Sequence, residues 1–181
     1  LVKAYNLAKV GFQKELFEQQ LVQALTKQES NFYYRNLLAD FLLLEQRYEE
    51  AKFHYLKIYK LKALPNRADV LNNLAYASMF DDLKAAANAA QIANKLKPNS
   101  AAILDTYGWI LAKKETYFQA LAILRQAQSI NASDPAIRYH LGYTLHKLGR
   151  LTEAKTELEA AVGSPTKFLE HPQASLLLKT L

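Results

Sequence analysis

In the stretch Tyr139-His140-Leu141-Gly142-Tyr143-Thr144-Leu145-His146-Lys147-Leu148-Gly149-Arg150-Leu151-Thr152-Glu153-Ala154-Lys155-Thr156-Glu157-Leu158-Glu159-Ala160-Ala161, small and large apolar residues alternate at helical spacing. Gly142 and Ala154 are small enough to let two helices touch, and Leu145 and Leu158 fill the space beside them. Gly149 suits the turn between the helices. Going back 34 positions from Gly142 reaches Gly108, preceded by Tyr107 and followed at matching offsets by Ala120, Leu124 and Ala127. A step of 33 reaches Ala75, preceded by Leu74 and followed by Ala86, Ala90 and Ala93. The missing residue falls in the turn Phe80-Asp81-Asp82, which has no Gly. A step of 36 reaches Ala39, preceded by Leu38 and followed by Ala51, Tyr55 and Ile58, with Tyr48 just before the second helix. The two extra residues fit the linker Leu64-Pro65-Asn66-Arg67.

Four registers therefore agree, at 32-66, 68-100, 101-134 and 135-168. A tandem of helix pairs at ~34 residues with small residues at both contact positions resembles the tetratricopeptide (TPR) family. That resemblance implies an all-α fold, in which helix-turn-helix repeats stack as a right-handed superhelix, an alpha-alpha solenoid. The expected organisation is a single array over 1-181. Residues 1-29 read as a degenerate repeat, two helical stretches around Gly11 with Leu16, Phe17, Leu21 and Leu25 on an apolar stripe. Residues 171-181 read as a capping helix begun by His171-Pro172, with Leu176 standing 34 residues after Gly142. Punctuation agrees: Asn99-Ser100, Asp81-Asp82 and Asp134-Pro135 are helix starts, and Pro65, Pro98 and Pro165 fall between units.

Composition fits this reading. Half of the 181 residues are apolar and only five are Gly and five Pro, enough to bury a core and too ordered in composition for a disordered chain. The absence of cysteine removes disulfides, thiolate metal sites and cysteine nucleophiles. A net charge of +6 is spread over 23 basic and 17 acidic residues and reads as a solvated surface, with no nucleic-acid partner expected. No run approaches the ~18 apolar residues of a membrane span. The chain begins at Leu1 without an initiator Met, so a fragment or mature region of a longer protein is expected.

Three segments carry a narrower likeness: Leu71-Asn72-Asn73-Leu74-Ala75-Tyr76, Leu104-Asp105-Thr106-Tyr107-Gly108-Trp109, and Ala136-Ile137-Arg138-Tyr139-His140-Leu141-Gly142. In this order, with the closing Leu-Leu-Leu-Lys-Thr-Leu, they resemble the C-terminal repeats of bacterial TPR-repeat lipoproteins associated with exosortase (PEP-CTERM) and exopolysaccharide systems. The resemblance implies a scaffold on the periplasmic side of the bacterial cell envelope, with a possible N-terminal lipid anchor outside this sequence. Tyr107 departs from the Leu more usual there, and no lipobox Cys is present.

In a TPR superhelix the first helix of each unit lines a concave groove. The residues so placed are Tyr33, Asn36, Leu37, Asp40 and Leu43, then Asp69, Asn72, Asn73, Tyr76 and Phe80. Asp105, Thr106, Trp109 and Lys113 follow, then Tyr139, His140, Tyr143, His146 and Lys147. Amides can bond a peptide backbone as donor and acceptor, and aromatic rings supply contact area at low entropic cost. The groove is therefore expected to bind a protein or peptide segment; oligomeric state is not legible. The Lys and Asn clamp by which one TPR subclass holds a C-terminal carboxylate is not expected, since its lysines are absent and Asp40 would repel the ligand. For any single tyrosine, and more so for Trp109 beside Gly108, padding between repeats is the competing reading.

Catalysis, cofactors and metals are not expected. His140 and His146 are six apart and do not stack on one helix face. No carboxylate completes a metal set with them, and no pairing of His with Ser or Asp is visible. The isolated glycines form no phosphate loop. The alternatives are a cytoplasmic TPR adaptor, the TPR arm of a larger enzyme or export porin, and an RNA-binding helical repeat. The groove alternates Asp with aromatics and lacks the continuous basic stripe that the last would need.

Overall fold

The computed structural model describes residues 13–61, 64 and 66–181. Among them are ten helices and no strand. They are α1 (Lys14–Lys27), α2 (Phe32–Leu44), α3 (Tyr48–Tyr59), α4 (Arg67–Ser78), α5 (Leu83–Leu96), α6 (Ala101–Lys113), α7 (Tyr117–Ile130), α8 (Pro135–Lys147), α9 (Leu151–Val162) and α10 (His171–Leu178). The chain resolves into two compact units, residues 1–89 and 90–181, with the boundary inside α5.

In the first unit α1 packs on α2, α2 on α3 and α3 on α4. α1 buries Phe17, Leu21 and Leu25 at four-residue spacing, and Phe17 meets Phe41 edge-on at 5.3 Å. Leu16, expected on the same stripe, is exposed, because one step along a helix turns its side chain about 100° from Phe17. The expected helical stretch before Gly11, and Gly11 itself, lie outside the described residues.

In the second unit α6, α7, α8, α9 and α10 pack in chain order, and α8 also touches α6 and α10. The small residues explain the close approach. A Cβ on Gly108 would lie 2.6 Å from Leu124 Cγ, and one on Gly142 would lie 2.8 Å from Leu158 Cγ. Both leucines are fully buried, so neither can move aside freely.

Three inter-helix turns share one geometry. Arg47 N–H donates to Leu42 O (2.9 Å), Thr116 N–H to Leu111 O (3.0 Å) and Arg150 N–H to Leu145 O (3.0 Å). Each six-residue closure passes through a left-handed residue: Gln46, Glu115 and Gly149. The turn after α4, one residue shorter, closes by Asp82 N–H to Ser78 O at 2.8 Å and has no left-handed residue. Asp82 then caps α5 through Ala85 N–H, and Asp134 caps α8 through Ala136 N–H, each at 2.9 Å. Ser100 stands at the start of α6, yet its hydroxyl makes no capping bond.

Candidate functional site

Most of the candidate residues fall in two clusters, one in each unit. In the first unit they surround Asp40. Its Oδ1 accepts from the Tyr55 hydroxyl (2.6 Å) and Asn73 Nδ2 (3.2 Å), and its Oδ2 accepts from Asn36 Nδ2 (2.8 Å). Asn36 reaches it because residues four apart share a helix face. Burial pushes the Asp40 carboxyl above its ordinary 3.8, while the three donors pull it back. Beside it lies a cleft of about 280 Å³ lined by Tyr33, Asn36, Leu37, Asp40, Asp69 and Asn73. Asn36 and Asn73 were expected to offer their amides to a partner backbone; one N–H of each is instead engaged by Asp40. Asn72 Oδ1 is buried without a hydrogen-bond partner.

Tyr76 belongs to a separate aromatic group. Tyr48 stacks on Phe80 at 3.8 Å and 12°, and Tyr76 meets both rings edge-on at 6.2 and 5.9 Å. Tyr55 is the participant that reasoning from the groove positions missed. It occupies the place, sixteen residues after Ala39, where Leu124 and Leu158 follow Gly108 and Gly142. A hydroxyl at a position that the other units fill with Ala90, Leu124 and Leu158 is the signal that could have found it.

In the second unit the cluster is built on Trp109. The His140 ring stacks on it at 4.2 Å and 16°, Tyr143 meets it edge-on at 5.1 Å, and Tyr139 lies tilted at 5.6 Å. Lys113, one turn after Trp109, holds its ammonium 4.3 Å above the indole and 5.3 Å from the Tyr143 ring. Lys147 lies 5.5 Å from that ring. These are cation–π distances. Burial lowers the Lys113 pKa, Lys147 lowers it further, and Glu170 opposes both. Burial, with the Glu170 and Tyr143 charges, pushes the Tyr139 phenol up to about 12. Burial also raises Tyr143, helped by Glu115. Both phenols therefore remain hydrogen-bond donors at neutral pH.

Trp109 and Tyr139, expected as groove contacts, are 2% and 5% exposed. They form the base of the cluster, while Tyr143, Lys113 and Lys147 form its accessible surface. The histidine spacing predicted no acid partner, but the fold supplies one: His140 Nδ1 lies 2.8 Å from Asp105 Oδ1, 35 residues away in sequence. A carboxylate only accepts, so Nδ1–H donates to it and Nε2 is the ring's remaining polar atom. That Nε2 and His146 Nδ1 are buried without partners. Among the described residues no three His, Cys, Asp or Glu side chains converge as a metal site would require. No helix among them is long and apolar enough to cross a membrane.

Residues 82–161 match the family model described as Anaphase-promoting complex, cyclosome, subunit 3. No curated protein sequence matches the chain. Among solved structures, the chain is similar to TTC0263, a thermophilic TPR protein of Thermus thermophilus, at 20% identity and a TM-score of 0.78, over 100% of this chain and 97% of that one. It is similar to YrrB, a TPR protein with an unusual peptide-binding site, at 20% identity and a TM-score of 0.67, over 98% and 89%. It is also similar to MamA at 17% identity and a TM-score of 0.65, over 88% and 89%. At such identities the likeness is one of fold, and this chain has the all-α helical-repeat fold of TPR proteins.

Proposed function

We propose that this chain is a non-catalytic scaffold that holds a segment of a protein partner on the first-helix faces of its repeats. The observation that carries the reading is the Trp109 cluster, a rigid aromatic base with Tyr143, Lys113 and Lys147 facing outward. Stacked rings lose little entropy on binding, and the two ammonium groups select a segment with an acidic side chain. The bond from His140 to Asp105 holds the imidazole flat on Trp109 and so keeps the aromatic base in one arrangement. The peptide-binding site named for YrrB is a precedent within the same fold.

The test is to select binders from a random peptide library on the parent chain and measure each against Tyr143→Ala/Lys113→Ala. Loss of an accessible aromatic and a cation should weaken binding about tenfold or more, at an unchanged melting temperature. Equal affinities for parent and variant would overturn the assignment.

The narrower resemblance adds a proposal of place: the periplasmic side of a bacterial envelope, in exopolysaccharide or protein-sorting machinery, with a lipid-anchored N-terminus. A full-length gene whose product begins with a lipoprotein signal and fractionates with membranes supports it. A product without such a signal that stays in the cytoplasm favours the adaptor reading.

A further inference from the structure

We propose that the first unit contains a phosphate-binding pocket, apart from its first-helix face, between the α1–α2 turn and the end of α3. The pocket encloses about 580 Å³ and is lined by Lys27, Glu29, Phe32, Arg35, Lys57 and Lys60 among others.

Its centre is Arg35, only 8% exposed. Two of its five N–H groups have partners, and both partners are neutral. One Nη2 hydrogen goes to the Glu29 carbonyl, and Nη1 lies 3.3 Å from His54 Nδ1. Among the described residues no carboxylate is within ion-pair distance of Arg35. A buried guanidinium without a counter-charge is unfavourable. The His54 imidazole is held below its ordinary 6.5 chiefly by burial, with Arg35 and then Lys57 pushing the same way. The hydrogen on Nη1 thus meets an imidazole lone pair, which carries no charge to offset.

Around this centre the lining supplies three more cations. Lys27 and Lys60 are exposed and make no ion pair among the described residues. Lys57 sits 3.8 Å from the Glu29 carboxylate and 4.8 Å from the Phe53 ring. Glu29, 82% exposed, is the single acid in the lining. Four cations facing one carboxylate leave an excess that a dianion matches better than a monoanion. A planar guanidinium with free N–H groups is suited to phosphate oxygens, and flexible lysines can close over the remaining ones. The Arg35 bond to the Glu29 carbonyl also aims the guanidinium from the α2 side toward the α1–α2 turn. The ligand chemistry is a phosphate dianion, either free or as the monoester of a phosphorylated serine.

The experiment is titration of the isotope-labelled full chain with inorganic phosphate at pH 7.5, with ionic strength held by chloride. Saturable shifts of the Arg35 Nε–H and the Glu29 and Ser30 amides are expected. In Lys57→Gln/Lys60→Gln, which leaves Arg35 and its carbonyl bond in place, the midpoint should move at least tenfold. Lys27→Gln alone, as a second exposed variant, should move it less but in the same direction. A phosphoserine peptide that saturates the same signals at lower concentration assigns the site to phosphorylated chains; one that does so no better than phosphate assigns it to the free ion. A linear drift without saturation would overturn the proposal. So would an unchanged midpoint in the double variant, or acetate saturating at the same concentration as phosphate.

Discussion

Asp40 and Trp109 stand at the same place in their repeats, one residue after the small residue of the first helix, and their partners Asn73 and His140 also correspond. In the first unit this slot holds a 3.2 Å hydrogen bond between amide and carboxylate; in the second it holds a ring stack at 4.2 Å. The repeat backbone sets which positions meet across neighbouring first helices, and the side chains decide what the meeting is for. A carboxylate that gathers three donors turns its face inward and leaves few free groups. A stacked indole and imidazole turn no hydrogen-bonding group toward each other, so the adjoining tyrosines and lysines remain available to a ligand. Two histidines show the same division. His54 of the first unit faces the guanidinium of Arg35, whereas His140 of the second faces the carboxylate of Asp105.

The largest effect should come from breaking the close approach on which the second cluster rests. Gly108→Val places methyl groups against the buried Leu124 and should destabilise the second unit by about 3 kcal/mol in denaturant unfolding. Leu124→Ala in the same chain should recover part of that, giving a coupling energy well away from zero. Additive losses would mean that the contact does not limit packing there.

Next is the hub of the first unit. Asp40→Ala removes one acceptor from each of Tyr55, Asn73 and Asn36 and should cost about 2 kcal/mol, since the Tyr55 hydroxyl is fully buried. Calorimetry decides this: a loss below about 0.5 kcal/mol would make the hub a dispensable surface network, and the two faces would then be alike in availability.

The smallest effect separates the histidines by pH. His54 binds its proton less readily folded than unfolded, since burial and the neighbouring cations depress its pKa from 6.5. The unfolded chain therefore takes up more protons as pH falls below about 6.5, and stability declines toward the depressed folded value. His54→Gln should flatten the melting-temperature profile between pH 7 and 5. A profile as steep in the variant as in the parent would place the titration elsewhere.

Much of the fold was open to reading because repetition multiplies weak signals. Gly142, Gly108, Ala75 and Ala39 are each ordinary, but together they mark where helices touch, and Asp134-Pro135 and Asp82 mark where helices begin. Local spacing also told which residues share a first-helix face, because that face follows from 3.6 residues per turn. Spacing could not tell how the side chains on it pair. Asp40 with Tyr55 and Asn73, His140 with Asp105, and Arg35 with His54 join residues 15 to 35 apart, and each bond depends on distances that only packed helices define. Nor could it separate Trp109 and Tyr139, which are covered, from Tyr143 and Lys113, which are not. Residue type and period determine that a side chain is presented on a face. Whether that side chain is consumed by its neighbours or left for a ligand was decided by tertiary contact, since burial depends on every atom that arrives from elsewhere in the chain.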